Sequence, residues 1–291
     1  MNTHLFISGL TEEETRQLQE AVLLNAAAAL SEDIGTGDLT ASLLPADRTA
    51  HARVVSREAA VLCGRAWFEA CFHALDARAA IRWHAQEGES IQPGQLLCEI
   101  DGNARALLSA ERPALNFLQT LSSTATLTRR YADAVRGTGA VVMDTRKTLP
   151  GLRLAQKYAV RTGGGANQRI GLFDGILIKE NHIAAAGGIA QVLQAAFALG
   201  AGVPIQIEVE NLDELKQALD AGAKLILLDN FGQDEMREAV AVTGRQAILE
   251  ASGNITLENI RAVAETGVAR ISIGSLTKHV QAVDLSMRIS L

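Results

Sequence analysis

From Gly139 onward, apolar and polar positions alternate in blocks. Short apolar runs that end in a polar residue are AVVMDTRK, GILIKEN, IQIEVEN, LILLDN, AILEASGN and ARISIGS. Stretches of helical period lie between them: GGIAQVLQAAFALG, NLDELKQALDAGA, GQDEMREAVAV and TLENIRAVAETG. Strands alternating with helices of this length predict βα units around a parallel sheet. Asn211, followed three residues later by Glu214, marks one helix start as a variant capping box.

The first half reads differently. Thr11 before Glu12, Glu13 and Glu14 predicts an N-cap and a helix to about Leu30, apolar at Leu18, Val22 and Leu23. SEDIGTGDLT is a turn. Residues 51–100 are strand-rich (ARVVSREAAVLCG, AAIRWHA), with a helix, RAWFEACFHAL, between. A long helix is expected to open at Ser109 as its cap, with Pro113 in the first turn, and to run to about Arg136, closed by Gly137 and Gly139. The amphipathic tail LTKHVQAVDLSMRISL is expected to return to the N-terminal domain.

Six strands are clear, each with polar groups at its C-terminal end. These are Asp144 to Lys147, Lys179, Glu208 with Glu210, Asp229, Glu250 with Ser252, and Gly274 with Ser275. In β/α barrels catalytic groups sit at those ends. Gly139 to Ser275 is short for an eight-stranded barrel, which takes about 250 residues. An incomplete barrel and an open doubly wound sheet both remain open.

Composition narrows the classes. The chain has 291 residues, 48% apolar and 21% charged, which is globular rather than disordered. An aromatic share of 4% and a net charge of −6 argue against a nucleic-acid binder. Cys63, Cys71 and Cys98 are odd in number and unpaired in spacing. They read as buried hydrophobes of a protein in a reducing cytoplasm. MNTHLFISGL lacks the pattern of a signal peptide. IAAAGGIAQVLQAAFALGAGV, interrupted by Gln191, Gln194 and glycines, is expected to be a core helix with its flanks, not a membrane span. No solenoid repeat or low-complexity segment occurs.

Charge singles out Asp144 to His182. Arg146, Lys147, Arg153, Lys157, Arg161, Arg169 and Lys179 stand against Asp144, Asp174 and Glu180, +4 in a chain of net −6. Such a concentration points to an anionic ligand, and Gly163, Gly164 and Gly165 offer backbone N–H groups to it. Arginine forks suit carboxylate and phosphate, and lysine acts on phosphate as a point charge. Glu208 and Asp229 have two candidate tasks, binding sugar hydroxyls or holding Mg²⁺ against a pyrophosphate. Buried structural ion pairs compete with both. His182 and His279 read as structural. EGESIQPGQLLCEIDG has the look of a lipoyl or biotinyl carrier hairpin, but no lysine lies between Arg65 and Arg112 to carry the group.

In order along the chain, EDIGTGD, ERPALNFLQTLS, DTRKTLPGLR, KYAV, GGGAN, LIKENHI, EVEN, LLDN, SGN, ISIG and LTKH closely resemble the quinolinate phosphoribosyltransferase family, from about Leu30 to Arg288. The resemblance implies a type II phosphoribosyltransferase-like α/β fold. An N-terminal α/β sandwich (1–115, with 277–291 returning to it) precedes an incomplete, about seven-stranded β/α barrel (116–276). It implies transfer of phosphoribosyl from 5-phosphoribosyl-1-pyrophosphate to quinolinate. The products are nicotinate mononucleotide, pyrophosphate and CO₂, with Mg²⁺ and no organic cofactor. It also implies a cytoplasmic homodimer or larger assembly, with no nucleic-acid or membrane partner.

By motif, Arg112 would reach quinolinate in the partner's site, and Thr145, Arg146 and Lys147 would hold the quinolinate carboxylates and pyrophosphate. Arg169 would contact a carboxylate and Lys179 the reacting centre. Glu208 and Asp229 would bind ribose hydroxyls and the metal, which is held mainly through pyrophosphate and water. Ser252, Gly253 and Asn254, with Ile273, Gly274 and Ser275, would grip the 5′-phosphate. Catalysis would rest on Lys147, Lys179, Glu208 and Asp229. Arg153 and Lys157 would add field without contact. Where the family has GGGxNHR, this chain has Gln168 for the histidine. Glutamine still donates to a carboxylate but carries no proton charge, so weaker quinolinate binding with little pH dependence is expected there. The alternatives are a relative using another pyridine or base, and a non-catalytic anion-binding module.

Overall fold

The computed structural model describes residues 9–290. The N-terminal expectation for MNTHLFIS therefore lies outside the described residues. In chain order the first half comprises α1 (Glu12–Ile34), β1 (Thr49–Ser56), β2 (Ala60–Val61), α2 (Arg65–Leu75), β3 (Ala80–Trp83), β4 (Ser90–Ile91), β5 (Leu96–Asn103) and α3 (Ala104–Ala134). Then come β6 (Val141–Met143), α4 (Arg153–Thr162), β7 (Ile176–Ile178), α5 (Glu180–Ala186), α6 (Ile189–Ala198), β8 (Ile205–Val209), α7 (Leu212–Asp220) and β9 (Leu225–Asp229). The chain closes with α8 (Gln233–Thr243), β10 (Ile248–Ser252), α9 (Ile260–Ala264), β11 (Arg270–Ser272), α10 (Ser275–Lys278) and β12 (Leu285–Ser290). No helix among the described residues is long and apolar enough to cross a membrane.

Two compact units emerge. The first holds the described residues up to Arg129, Thr148–Gly164, and those from Thr277 on; the second holds Arg130–Lys147 and Gly165–Leu276.

In the first unit an antiparallel sheet runs β12-β1-β5-β3. Every second residue of β1 is buried, the alternation of a sheet with one face on a core. As expected, the tail pairs with β1, Arg288 opposite Arg53. α1 starts where the sequence places it: Thr11 Oγ1 accepts the Glu14 N–H at 3.1 Å and Glu14 returns to the Thr11 N–H at 2.7 Å. α2 packs Trp67, Phe68 and Phe72 into a core with Leu107, Leu115, Leu118 and Leu121. The Trp67 and Tyr158 rings meet at 5.3 Å. The three cysteines are free and buried, and burial pushes the Cys71 thiol up to about 12.

α3 differs from expectation. It begins at Ala104, and Asn103 caps it by accepting the Arg105 and Ala106 N–H groups at 3.0 and 3.2 Å. Ser109 and Pro113 are interior, and the Ser109 hydroxyl donates to Asp38 at 2.7 Å. The cap competition is decided by the strand just before: β5 delivers Asn103 with its carbonyl oxygen aimed at the first turn.

In the second unit a parallel sheet runs β6-β11-β10-β9-β8-β7. Each strand from β8 to β11 lies beside its predecessor, and the first, β6, lies beside the last. That cyclic order belongs to a barrel. A doubly wound sheet would reverse direction at a switch point. Among the described residues six strands are hydrogen-bonded, and beside β6 lies a bridge, Met143 to Ala166. The Ala166 N–H donates to Val142 O at 2.8 Å and the Asp144 N–H to Ala166 O at 3.1 Å. The seventh position is thus held by one residue rather than a strand.

α6 corrects the core-helix reading. Only Ile189 and Leu193 are buried, while Phe197 and Leu199 are exposed.

Candidate active site

The C-terminal ends of the parallel strands converge. Asp144, fully buried beyond β6, accepts Asn167 Nδ2 at 2.7 Å and the Gln168 N–H at 2.8 Å. Thr145 Oγ1 accepts the Lys147 N–H at 3.1 Å and sets the turn that carries Arg146 and Lys147 outward. Lys147 then lies over the turn after β11, where a Cβ on Gly274 would come within 3.1 Å of its Cδ. That close approach explains a glycine whose φ is ordinary.

Lys179, beyond β7, donates to both oxygens of Glu208 on β8, at 2.9 and 2.7 Å. The Glu208 side chain is 10% exposed and that of Lys179 44%. The carboxylate is the buried anchor, and the ammonium faces the opening. His182 Nδ1 accepts the Lys179 N–H at 3.1 Å, the structural role expected of it.

Arg169 sits on the irregular stretch after Ala166. Its Nη1 donates to Gly175 O at 2.8 Å. Asp174 accepts the Ile170 and Gly171 N–H groups at 2.7 and 2.8 Å and closes the following turn. Burial, and then the Arg146 charge beside it, lower the guanidinium's pKa. Arginine does not deprotonate in proteins, so Arg169 keeps its charge there.

Asp229 ends β9 in register with Ser252. Asn230 and Asn254 follow with φ of 58° and 49°, and Asn254 Nδ2 donates to Asn230 Oδ1 at 3.2 Å. Non-glycine residues in the left-handed region cluster at functional sites. Gly253, at φ 100°, admits Asn230, since a Cβ there would stand 2.1 Å from its Oδ1.

A cavity of about 240 Å³ opens among these ends. Thr145, Arg146, Lys147, Gln168, Arg169, Lys179, Glu208 and Ser252 line it, with Leu177, Leu227, Glu250 and Ser272. Four cations on one small cavity can hold a multiply anionic ligand.

Models of the quinolinate phosphoribosyl transferase N-terminal domain and C-terminal domain match residues 38–122 and 124–288. The chain belongs to the quinolinate phosphoribosyl transferase family. It is 42% identical to a probable nicotinate-nucleotide pyrophosphorylase (carboxylating) of Bacillus subtilis, over 89% of this chain and 90% of that protein. The solved nicotinate-nucleotide pyrophosphorylase of Francisella tularensis superposes with a TM-score of 0.90 at 44% identity, over 94% of this chain and 97% of that one. NadC of Streptococcus pyogenes gives 0.89 at 35% identity, over 98% and 99%.

Of the residues singled out by the family motifs, the cavity gathers Thr145, Arg146, Lys147, Gln168, Arg169, Lys179, Glu208 and Ser252. Asp229, Gly253, Asn254, Ile273, Gly274 and Ser275 stand at strand ends outside its lining. Arg112 belongs to the other unit. There it lines a separate cavity of about 360 Å³ with Asn25, Glu32, Asp33, Asn116 and Gly151.

Two readings need correction. The basic stretch is divided between the two units. Arg153, Lys157 and Arg161 lie on α4 in the first unit, where Arg161 pairs with Glu14 at 3.1 Å and Arg153 Nε donates to Thr148. The triple glycine is not an anion cradle, because the Gly163 and Gly164 N–H groups close α4 on Ala159 and Arg161. Gly163 is required by packing instead: a Cβ would stand 2.5 Å from Ala125 O on α3. Gln168 lines the cavity, and its Nε2 donates within the protein to Glu250 at 2.6 and 2.5 Å and to Gln206 at 3.3 Å.

The sequence reading missed Leu177, Leu227 and Ser272 as lining, and Gln206 behind them. An Asn after a strand-end Asp or Gly, as in LLDN and SGN, was the legible sign of strained turns here.

Among the described residues no group of three or more His, Cys, Asp or Glu is placed to cage a metal. Glu208 has both oxygens on Lys179. This donor set suits a Mg²⁺ that arrives with pyrophosphate and keeps its waters, using one or two carboxylates at most.

Proposed function

We propose that this chain transfers phosphoribosyl from 5-phosphoribosyl-1-pyrophosphate to quinolinate with decarboxylation, giving nicotinate mononucleotide in de novo NAD synthesis. The observation that carries it is the placing of Arg146, Lys147, Arg169 and Lys179 on one cavity, with Glu208 behind Lys179. A diacid and a pyrophosphate together need such a set.

Arg169 and Arg146 take the two carboxylates of quinolinate. Lys147 lies against the charge that builds on the leaving pyrophosphate as the C1′–O bond breaks. Glu208 and Asp229 would hold a Mg²⁺, which would supply Lewis-acid neutralisation of that leaving group. Glu208 and Asp229 hold the ribose hydroxyls and offset the positive sugar. The pyridine nitrogen then bonds C1′ and becomes cationic. The C2–carboxylate bond breaks, its electron pair stays on the ring carbon beside that nitrogen, and CO₂ leaves. Lys179 steadies this carbanion until a proton arrives. Ser252, Gly253, Asn254, Ile273, Gly274 and Ser275 bind the 5′-phosphate.

The working form is a homodimer or larger assembly in the cytoplasm, with Arg112 donated across the interface. Arg112 is exposed and makes no hydrogen bond or ion pair among the described residues.

Pyrophosphate release with quinolinate, 5-phosphoribosyl-1-pyrophosphate and Mg²⁺ tests the reading, with nicotinate in a parallel assay. Quinolinate-dependent release that falls roughly 10²–10³-fold in Arg146→Ala and Lys147→Ala supports it. Release at the parent rate in both, or turnover of nicotinate alone, rejects it.

A further inference from the structure

Glu250, on β10, is 1% exposed and makes no ion pair among the described residues. Its carboxylate instead receives two neutral amides, Gln168 Nε2 at 2.6 and 2.5 Å and Gln206 Nε2 at 3.1 Å. Burying a carboxylate without a cation is costly, and an apolar residue of its size would pack β10 at less cost. What the carboxylate holds accounts for its presence.

Gln168 lies between the Ala166 bridge and β7, where neither helix nor strand fixes the backbone. Two buried carboxylates fix it instead. Asp144 takes the Gln168 N–H and the Asn167 side chain, and Glu250 takes the Gln168 side chain. The next residue is Arg169, whose guanidinium faces the cavity beside Arg146. Sub-ångström aim matters for such a group, because misplacement of about 1 Å costs on the order of 10²-fold.

We propose that Glu250 is a positioning residue. Acting through Gln168, it fixes the backbone at 167–169 and so the aim of Arg169 at the diacid. This rests on the functional reading above. In this role Gln168 is the strut between Glu250 and the backbone of Arg169.

The test uses the full chain with Glu250→Leu, Gln168→Leu and both together, reading quinolinate Kd without the second substrate, KM for each substrate, and melting temperature. Each single change weakens quinolinate about tenfold or more, the size of losing one buried hydrogen-bonded support. The double change is no worse than the poorer single, because the two residues form one link. KM for 5-phosphoribosyl-1-pyrophosphate stays within about twofold, and Glu250→Gln, which keeps an acceptor of the same shape, recovers most of the affinity. Additive single losses, or KM rising equally for both substrates, would make Glu250 merely structural and overturn the proposal. So would parent-like quinolinate Kd in a folded Glu250→Leu. If Glu250→Leu does not fold, Gln168→Leu decides: an unchanged quinolinate Kd overturns the proposal, and a selective loss supports it. A parent protein that binds no quinolinate rejects the functional reading itself, whereas parent binding with unaffected variants rejects only the positioning role.

Discussion

Lys179 Nζ is held by both oxygens of Glu208, at 2.9 and 2.7 Å, with the carboxylate buried and the ammonium at the cavity. Neutralising the carboxylate frees the lysine to swing, and removing the lysine leaves a buried charge unpaired. Lys179→Met and Glu208→Gln should each lower kcat roughly 10²–10³-fold. The double change should fall well short of the product of the two, since neighbours couple. Steady-state rates on the four proteins check this, and multiplicative losses would separate the residues into independent roles.

Arg112 sits in a different unit from the strand-end cavity. If it serves a neighbouring chain, mixing Arg112→Ala with Lys147→Ala after co-refolding should restore activity, because one site in each mixed dimer then carries both residues. Activity in the mixture no higher than the sum of the separate variants would place Arg112 outside the site.

Gly163 fills the contact between α4 and α3. A Cβ there meets Ala125 O at 2.5 Å and Thr128 Cβ at 2.6 Å, both rigid. Gly163→Ala should therefore destabilise by about 1–3 kcal/mol despite alanine's better helix propensity. Urea unfolding of the first transition measures it, and an unchanged midpoint would mean that the helices separate freely.

Glu99 on β5 receives His84 Nε2 at 2.8 Å and Arg82 at 2.6 Å. Hydrogen bonding from His84, then from Arg82, holds its carboxyl at about 2, below the ordinary 4.5. A depressed carboxylate stabilises the fold above its unfolded pKa, and that contribution is lost as pH falls from about 5 through 2. Glu99→Gln should flatten melting temperature against pH in that window and leave the slope above pH 6 as in the parent. An identical acid limb in the variant would show that other carboxylates drive the loss.

Much of this was legible in the residues. Local signals with a local cause held: the Thr11 cap, the RAWFEACFHAL helix, the strand runs and their polar ends. The family motifs then singled out eight of the cavity's lining side chains. The errors arose where one residue type serves two masters. Ser109 and Pro113 imitate a helix start, but Asn103 sits at the true one. Gly163 to Gly165 imitate a phosphate loop, yet Gly163 is small because α3 passes close. A run of positive charge reads as one patch although its residues are divided between two units.

The sequence by itself determined the period of each element and which side chains stand at each strand end, because both follow from neighbours along the chain. Only the tertiary structure decided the cyclic strand order, the single-residue bridge at Ala166, and the pairing of Gln168 with Glu250. Those depend on contacts between distant residues, 82 positions apart for Gln168 and Glu250 and 129 for Val141 and Arg270, which no local pattern encodes.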